Sequence, residues 1–352
     1  MKSLTQKMLS KIFSIYGLIS SIALTLAILA KHSFFDFIPY IYLFGIGFFY
    51  ILIHNILLLL WAGFIKHTTT LILLLIPFAL GYESFSENYS FRSTPPTIIS
   101  DSADEKVYSI LSLNVGHFNE TNAKRKTLKL IDSLSPDFIL FQELSGVNNM
   151  KVFNANMKKK GYPFFKGYYT NRIFSKYPIT KFNRINILKN NTALHTTIQL
   201  ENETTLLLYN THLLSNRVTT DLKEAKSNEK VEKKLTGIYR SMLAVNGLRE
   251  KRKEQAQVLL AETKKTNDFP ILIAGDFNSV PNSNVYTKFK SNYTDHFTTA
   301  GVGSGFSFNK IPFLRIDYIF SNDKIIPLSY KVLSDSKLSD HNPIYSTFRI
   351  KK

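Results

Sequence analysis

The chain has 352 residues, with 44 Lys and Arg against 26 Asp and Glu and a formal net charge of +18, which is room for one large domain with an appendage or for two medium domains. A charge of that sign draws anionic partners, phospholipid headgroups or nucleic acid, and does not choose between them. Cysteine is absent, which excludes disulfides, thiol nucleophiles and thiolate zinc sites.

The chain opens on apolar runs. Phe13 to Ala30 is uncharged over 18 residues and Ile38 to Ile65 over 28, and as a helix each is long enough to cross about 30 Å of hydrocarbon. Thr68 to Tyr82 adds 15 uncharged residues with Pro77 inside, and reads as a short span or as an interfacial helix. Lys2, Lys7 and Lys11 precede the first run and Lys66 follows the second, whereas Lys31 is the only Lys or Arg between them. That asymmetry sets the amino terminus in the cytoplasm. Three crossings then put everything after Glu83 outside the cytoplasm and two leave it inside; three are expected. The length of the first run, with a second close behind, argues against a cleaved signal peptide. His54 and Asn55 fall mid-span, where polar groups read best as helix-to-helix hydrogen bonds. Residues 1–84 are thus expected to be a multi-pass membrane anchor with two or three helices, partnered by the bilayer.

Residues 85–106 are polar, with Pro95-Pro96 and several serines, and read as a linker. Residues 107–352 read as the folded domain. Beyond residue 87 the chain carries +16 of the total charge, so attraction to anionic surfaces belongs to this part. Short apolar runs recur in it: "YSILSLNV", "DFILFQE", "TTLLLYNTHL", "PILIAGDFN", "LRIDYIF" and "NPIYSTFRI". Their length and their Ile, Leu, Val, Phe and Tyr content predict strands. Helical stretches at Ala123 to Ser133 and Thr219 to Thr263 lie between them, so the class is α/β. "HTTIQL" and "TTLLLYN" around "ENET" predict an antiparallel hairpin and hence a mixed sheet. The charged, Pro-free stretch from Arg217 to Lys265 reads as a solvated helical pair.

Four of the strands deliver a polar side chain at their carboxyl ends: Asn114, Glu143, His212, and Asp276 with Asn278. In α/β folds such ends form the rim where sites are built. Asp317 opens "DYIF" and Asp340-His341 opens "NPIYSTF". If those two strands run antiparallel to the first four, their starts reach the same rim. Singly, each residue has an ordinary reading: a strand-end cap, a structural histidine, a Gly-Asp-Asn turn, an Arg315–Asp317 ion pair. As an ordered set they converge oxygen ligands and imidazoles on one place. Carboxylate and amide oxygens without cysteine suit Mg²⁺ or Mn²⁺ better than zinc. Imidazoles that donate to a phosphoryl oxygen and an aspartate that orients or deprotonates water complete the parts needed for phosphoester hydrolysis.

These residues resemble the endonuclease/exonuclease/phosphatase superfamily. The matching pieces, in order, are "LNV" at Leu113 to Val115, "QE" at Gln142-Glu143, "SKYPI" at Ser175 to Ile179, "THL" at Thr211 to Leu213, "GDFN" at Gly275 to Asn278, "RIDYIF" at Arg315 to Phe320 and "SDH" at Ser339 to His341. The resemblance implies two mixed β-sheets packed face to face with helices on both outer sides, a four-layer sandwich. It implies Glu143 as principal metal ligand with Asn114 beside it, and Asp340 in the metal and phosphate shell. Asp276 would activate the water and Asn278 hold a phosphate oxygen. His212 and His341 would face the scissile phosphate, with Asp317 hydrogen-bonded to His341. Two departures stand out: where some nuclease branches carry an acid two residues after the first asparagine, this chain has Gly116 followed by His117, and "NRIFSKYPI" lacks the glycine that often precedes the serine.

The expected function is a membrane-anchored, divalent-metal-dependent phosphoesterase acting on a phosphodiester, with nucleic acid and phospholipid headgroups both open as substrates. A non-catalytic anchored binding domain that keeps the fold is the alternative from another class. A third reading, in which the membrane helices do the work, rests on His54 alone.

Overall fold

The apolar start of the chain folds as helices in the computed structural model, which describes residues 4–96, 106–145, 150–188, 191–215 and 231–351. The chain divides into two units, Met1–Glu87 with Val280–Thr287, and Asn88–Ser279 with Lys288–Lys352.

In the first unit, α1 (Leu4–Leu29) runs unbroken for 26 residues. Among the described residues it is the one helix long and apolar enough to cross a membrane. The second apolar run departs from the expected single span. It divides at Gly47 into α2 (Ile41–Ile46) and α3 (Phe48–Phe64), and Tyr40 before α2 sits in the left-handed region at φ 57°. Two glycines, Gly45 and Gly47, each weaken a helix interior by about 1 kcal/mol relative to alanine, and Pro39 restrains the approach, which is why the break falls here. α3 has 17 residues and α4 (Thr68–Leu80), with Pro77 inside, has 13, so they reach about 26 and 20 Å, short of the roughly 30 Å core. Polar side chains tie the helices together. Tyr16 Oη and His54 Nε2 lie 3.0 Å apart, Ser10 Oγ and His67 Nε2 2.8 Å apart, and Ser21 Oγ donates to the Leu73 carbonyl at 2.7 Å. His54 thus makes the helix-to-helix bond its position predicts, whereas Asn55 donates within its own helix, to the Ile51 carbonyl. Asn282, from the 280–287 segment, donates to the Ala27 carbonyl at 3.1 Å.

The second unit holds fourteen strands among its described residues: β1 (Tyr89–Ser90), β2 (Tyr108–Asn114), β3 (Phe138–Gln142), β4 (Phe164–Tyr168), β5 (Asn171–Ser175), β6 (Ile179–Leu188), β7 (Asn191–Gln199), β8 (Thr205–His212), β9 (Ile271–Asp276), β10 (Thr294–Asp295), β11 (Gly303–Ser304), β12 (Asp317–Ser321), β13 (Ile325–Val332) and β14 (Ile344–Ile350). They build two mixed six-stranded sheets, in the orders β13-β14-β2-β3-β5-β4 and β10-β12-β9-β8-β7-β6. The expected hairpin is β7–β8, paired from Leu194↔Asn210 to Gln199↔Thr205.

Alternation along each strand explains the layers. Ile110, Phe138, Leu140 and Ile173 of the first sheet meet Leu194, Leu208, Leu272 and Ile319 of the second in one buried core. The residues between them, such as Leu111, Leu113, Ile139 and Phe141, pack outward on Ile131 and on Phe153 and Met157, which come from the helices Ala123–Leu134 and Met150–Lys159. A 34-residue helix, Val231–Lys264, lies against β6 on the second sheet. The sequence reading placed a helical pair over Arg217 to Lys265; its part up to residue 230 lies outside the described residues. Within the linker read over 85–106, Tyr89 and Ser90 pair with Ser304 and Gly303, and Arg92 Nη1 donates to the Thr298 carbonyl at 3.1 Å.

One strand pair in each sheet is parallel, and this positions the site. β2 and β3 run together and end at Asn114 and Gln142, while β8 and β9 run together and end at His212 and Asp276. β12 runs antiparallel to β9 with Asp317 opposite Asp276, and β14 runs antiparallel to β2 with Ile344 opposite Ser112. A buried amide clamp joins the sheets just beneath: Gln142 Nε2 donates to Asn210 Oδ1 at 2.7 Å, and Asn210 Nδ2 donates to the Phe141 and Arg172 carbonyls. Arg315, inside the "RIDYIF" piece, is fully buried. It pairs with Asp295 at 2.6 Å and stacks on Phe297 and Tyr318, a partner twenty residues away that sequence proximity, which pointed to Asp317, did not suggest.

Candidate active site

Asp276 is the junction. Gly275 before it has φ +141°, and a Cβ there would sit 1.9 Å from the Thr211 carbonyl oxygen of the neighbouring strand, so glycine is required for β8 and β9 to close up and bring His212 beside Asp276. Asp276 is 1% exposed. Its Oδ1 accepts from the Asn278 N–H at 2.8 Å and its Oδ2 from Asn114 Nδ2 at 3.0 Å. The Nε2 atoms of His212 and His341 stand 3.6 and 3.7 Å from the same Oδ2.

His341 is oriented from behind, with Nδ1 2.9 Å from Asp317 Oδ2. Burial alone would depress this imidazole, but the carboxylates of Asp317 and Asp276 outweigh it and push it up to about 10. Asp317 is moved up, by burial first and by Asp276 as well, with His341 opposing. The Asp317 and Ile316 N–H groups both donate to Ser307 Oγ at 3.1 Å, which fixes the start of β12.

Glu143 leaves β3 in the left-handed region at φ 53°. That turn lets its carbonyl accept from the His117 N–H at 3.1 Å and the Ser145 N–H at 2.8 Å. Its carboxylate lies between two imidazoles, Oε1 3.6 Å from His212 Nε2 and Oε2 3.4 Å from His117 Nε2. His212 Nε2 is buried without a hydrogen-bond partner. A cleft of about 170 Å³ opens beside Glu143, lined by Gly116, His117, Asn119, Lys310, Ser339 and Asp340 among others. A larger cleft of about 600 Å³ at β6 and β7, with Arg184, His195 and Glu262 in its wall, gathers none of the rim residues.

Six of the eight expected site residues therefore form one chain of contacts: Glu143, His212, Asp276, Asn114, His341 and Asp317. Asn278 joins it through its backbone, while its Nδ2 donates to the Leu213 carbonyl at 3.0 Å. Asn114 faces Asp276 with its amide nitrogen, and its Oδ1 accepts from the Gly116 N–H. Asp340 stands at the edge, paired with Lys310 Nζ at 2.5 Å. Sequence reasoning missed Ser307, Lys310 and the Gln142–Asn210 clamp; His117 it noticed only as a departure.

Two observations fit a divalent cation. His212 Nε2 is an orphaned buried nitrogen facing two carboxylates, and the Glu143 carboxylate is flanked by nitrogens beyond the usual reach of about 3.2 Å for a hydrogen bond. Ligand atoms of Asp276, Asp317 and His341 also all lie within 4.8 Å of one another, but there the 2.9 Å contact between Nδ1 and Oδ2 already accounts for the pair.

A model of the Endonuclease/Exonuclease/phosphatase family matches residues 111–341. Among solved structures, the human Nocturnin catalytic domain with bound sulfate is similar at 15% identity and a TM-score of 0.52, over 74% of this chain and 100% of that one. An endonuclease/exonuclease/phosphatase from Bacteroides vulgatus shares 15% identity over 70% of this chain and 100% of its own, with a TM-score of 0.52. D. rerio TDP2 complexed with a single-strand DNA product shares 18% identity over 69% and 99%, with a TM-score of 0.50. No curated protein matches the sequence. At these identities the structural likeness shows the two-sheet fold.

Proposed function

The chain belongs to the endonuclease/exonuclease/phosphatase family, and from that premise we propose that it is a membrane-anchored, divalent-metal-dependent phosphoesterase that hydrolyses a phosphodiester with water activated by Asp276. The observation that carries this reading is the contact chain from Glu143 through His212 and Asp276 to His341 and Asp317.

The residues divide the work as follows. Asp276 has both oxygens pinned by donors, so it orients an attacking water and can take its proton. His341, protonated at neutral pH and held by Asp317, donates from Nε2 to a phosphoryl oxygen as charge develops there. His212 offers a second imidazole on the same side. Asn278 has one amide hydrogen on the Leu213 carbonyl and one left for a phosphate oxygen. Glu143 is the main ligand for Mg²⁺ or Mn²⁺, with Asp340 at the cleft edge; Asn114 serves chiefly to hold Asp276. The cation, when bound, supplies positive charge to the phosphoryl oxygens.

The anchor is α1. Ser10 and His67 bring the start of α1 and the start of α4 together, so Lys7, Lys11 and Lys66 share one end of the helices, the cytoplasmic end by the positive-inside rule. If α3 and α4 also cross, by tilt or local thinning of the bilayer, the catalytic unit follows outside the cytoplasm. A carboxyl-terminal reporter active only in the cytoplasm should then be silent; a bright one contradicts this orientation.

A phosphodiester is the favoured substrate: with one carboxylate base and two imidazole donors, water adds to phosphorus, one ester bond breaks to release its alcohol, and the second ester stays on the product phosphate. The strong positive charge agrees with a polyanionic or headgroup substrate. Full-length protein with Mn²⁺ should hydrolyse bis-p-nitrophenyl phosphate at least about tenfold faster than p-nitrophenyl phosphate, a margin that one differential charge contact can supply. The reverse order would replace the diester reading with a phosphomonoesterase.

A further inference from the structure

The segment after Asn114 adopts a costly conformation to place one side chain. Gly116, His117 and Phe118 all have positive φ, 51°, 58° and 56°. For the two non-glycine residues this conformation costs about 1 kcal/mol or more each. The strained turn wraps Glu143: the His117 N–H donates to the Glu143 carbonyl, and His117 Nε2 comes to 3.4 Å from Oε2 of the same residue.

The other ring nitrogen is held as well, in a short contact between His117 Nδ1 and Ser145 Oγ. Ring orientation is therefore fixed at both ends. A histidine that donates its far N–H to an oxygen presents a lone pair at the near nitrogen, the arrangement of imidazoles that bind metals. Two tautomers satisfy the Ser145 contact. With the proton on Nε2 the ring points a donor at the Glu143 carboxylate; with the proton on Nδ1 the Nε2 lone pair faces that oxygen at 3.4 Å, an arrangement that is stable only with a positive centre between them. That spacing is also what a shared ion imposes, since two ligand atoms about 2.1 Å from one ion stand roughly 3.0 to 3.5 Å apart, depending on the angle between them. The His117 side chain is 43% exposed and lines the cleft beside Glu143, so an ion can enter without the fold opening.

We infer that His117 Nε2 is a ligand to the cation that Glu143 holds, so that a nitrogen joins an oxygen-donor site and tilts its choice from Mg²⁺ toward transition ions such as Mn²⁺. This rests on the metal-dependent reading above and sharpens it. Imidazole suits borderline transition ions, whereas Mg²⁺ prefers oxygen donors and keeps its waters. It also accounts for the place where the chain departs from the motif: an acid position is given up at Gly116, and a histidine beside it turns back to the same ion.

The test is electron spin-echo modulation of Mn²⁺ bound to the full-length protein, with calorimetric titration of Mn²⁺ and Mg²⁺ alongside. Wild-type protein should show directly coordinated nitrogen. His117→Asn, which keeps a residue tolerant of positive φ, should lose that signal and bind Mn²⁺ at least about tenfold more weakly, with Mg²⁺ affinity changed less than about threefold. Ser145→Ala leaves the turn intact and should weaken the nitrogen signal by freeing the ring. Nitrogen coupling that survives His117→Asn, or that disappears instead in His212→Asn, overturns the assignment. Mn²⁺ binding that needs Glu143 but shows no nitrogen overturns this inference and leaves the metal-dependent reading standing. An absence of Mn²⁺ binding in wild type, with no effect of Glu143→Gln, overturns both.

Discussion

Replacing Asp276 by asparagine should lower kcat on a phosphodiester by about 10³-fold or more while leaving KM within about threefold, because on the proposed mechanism the change removes the base of the chemical step and keeps the shape that accepts substrate. The side chain is buried and takes one hydrogen bond from Asn114 and one from the backbone of Asn278. An amide has a single oxygen, so one of those donors would meet an NH₂ group, at a cost of about 1 to 3 kcal/mol in stability. The variant should therefore melt several degrees lower yet remain folded by circular dichroism. A folded Asp276→Asn protein with more than a tenth of wild-type kcat would remove Asp276 from the mechanism and with it the proposed attack.

Asp317→Asn should cost about 10² to 10⁴-fold in kcat, as expected when a buried carboxylate that fixes an imidazole is neutralised, and it should also change the pH profile. In the wild type His341 is pushed up to about 10, so its donating form is complete at neutral pH and is lost only as pH rises through about 10. With the Asp317 charge gone, burial of the ring is opposed by fewer carboxylates, and the proton leaves at lower pH. Variant activity should fall as pH rises through the neutral range where wild type is flat. Parallel kcat profiles from pH 6 to 9 for the two proteins would show that Asp317 only supports the fold.

The rim was legible in the sequence because each of its residues ends or begins an apolar run; that the last two strands run antiparallel and so reach the same rim was only a condition there, and the fold supplies it. That reasoning reached Asn114, Glu143, His212, Asp276, Asp317 and His341 without any contact being known. It failed where the answer depends on pairs distant in the chain. Nothing in "QE" shows that Gln142 reaches Asn210 across the two sheets, and nothing near Arg315 names Asp295 as its partner. The break at Gly47 was hidden because glycine is common in membrane helices, so an uncharged run of 28 residues read as one element. The direction of the Asn114 amide was equally hidden: the motif says an amide stands beside the acid, and only the fold shows its nitrogen turned to Asp276. His117 was visible merely as the wrong residue in an acid's place, since its return to Glu143 requires three successive positive φ angles.

The most direct measurement is hydrolysis of bis-p-nitrophenyl phosphate by the full-length protein before chelation, after exhaustive dialysis against EDTA, and after Mg²⁺ or Mn²⁺ is returned. Joint action of the Glu143 end and the Asp276–His341 end predicts that chelation abolishes turnover and that a divalent ion restores it. Turnover that continues undiminished in EDTA, or that never appears on any phosphoester with any divalent ion, would contradict it.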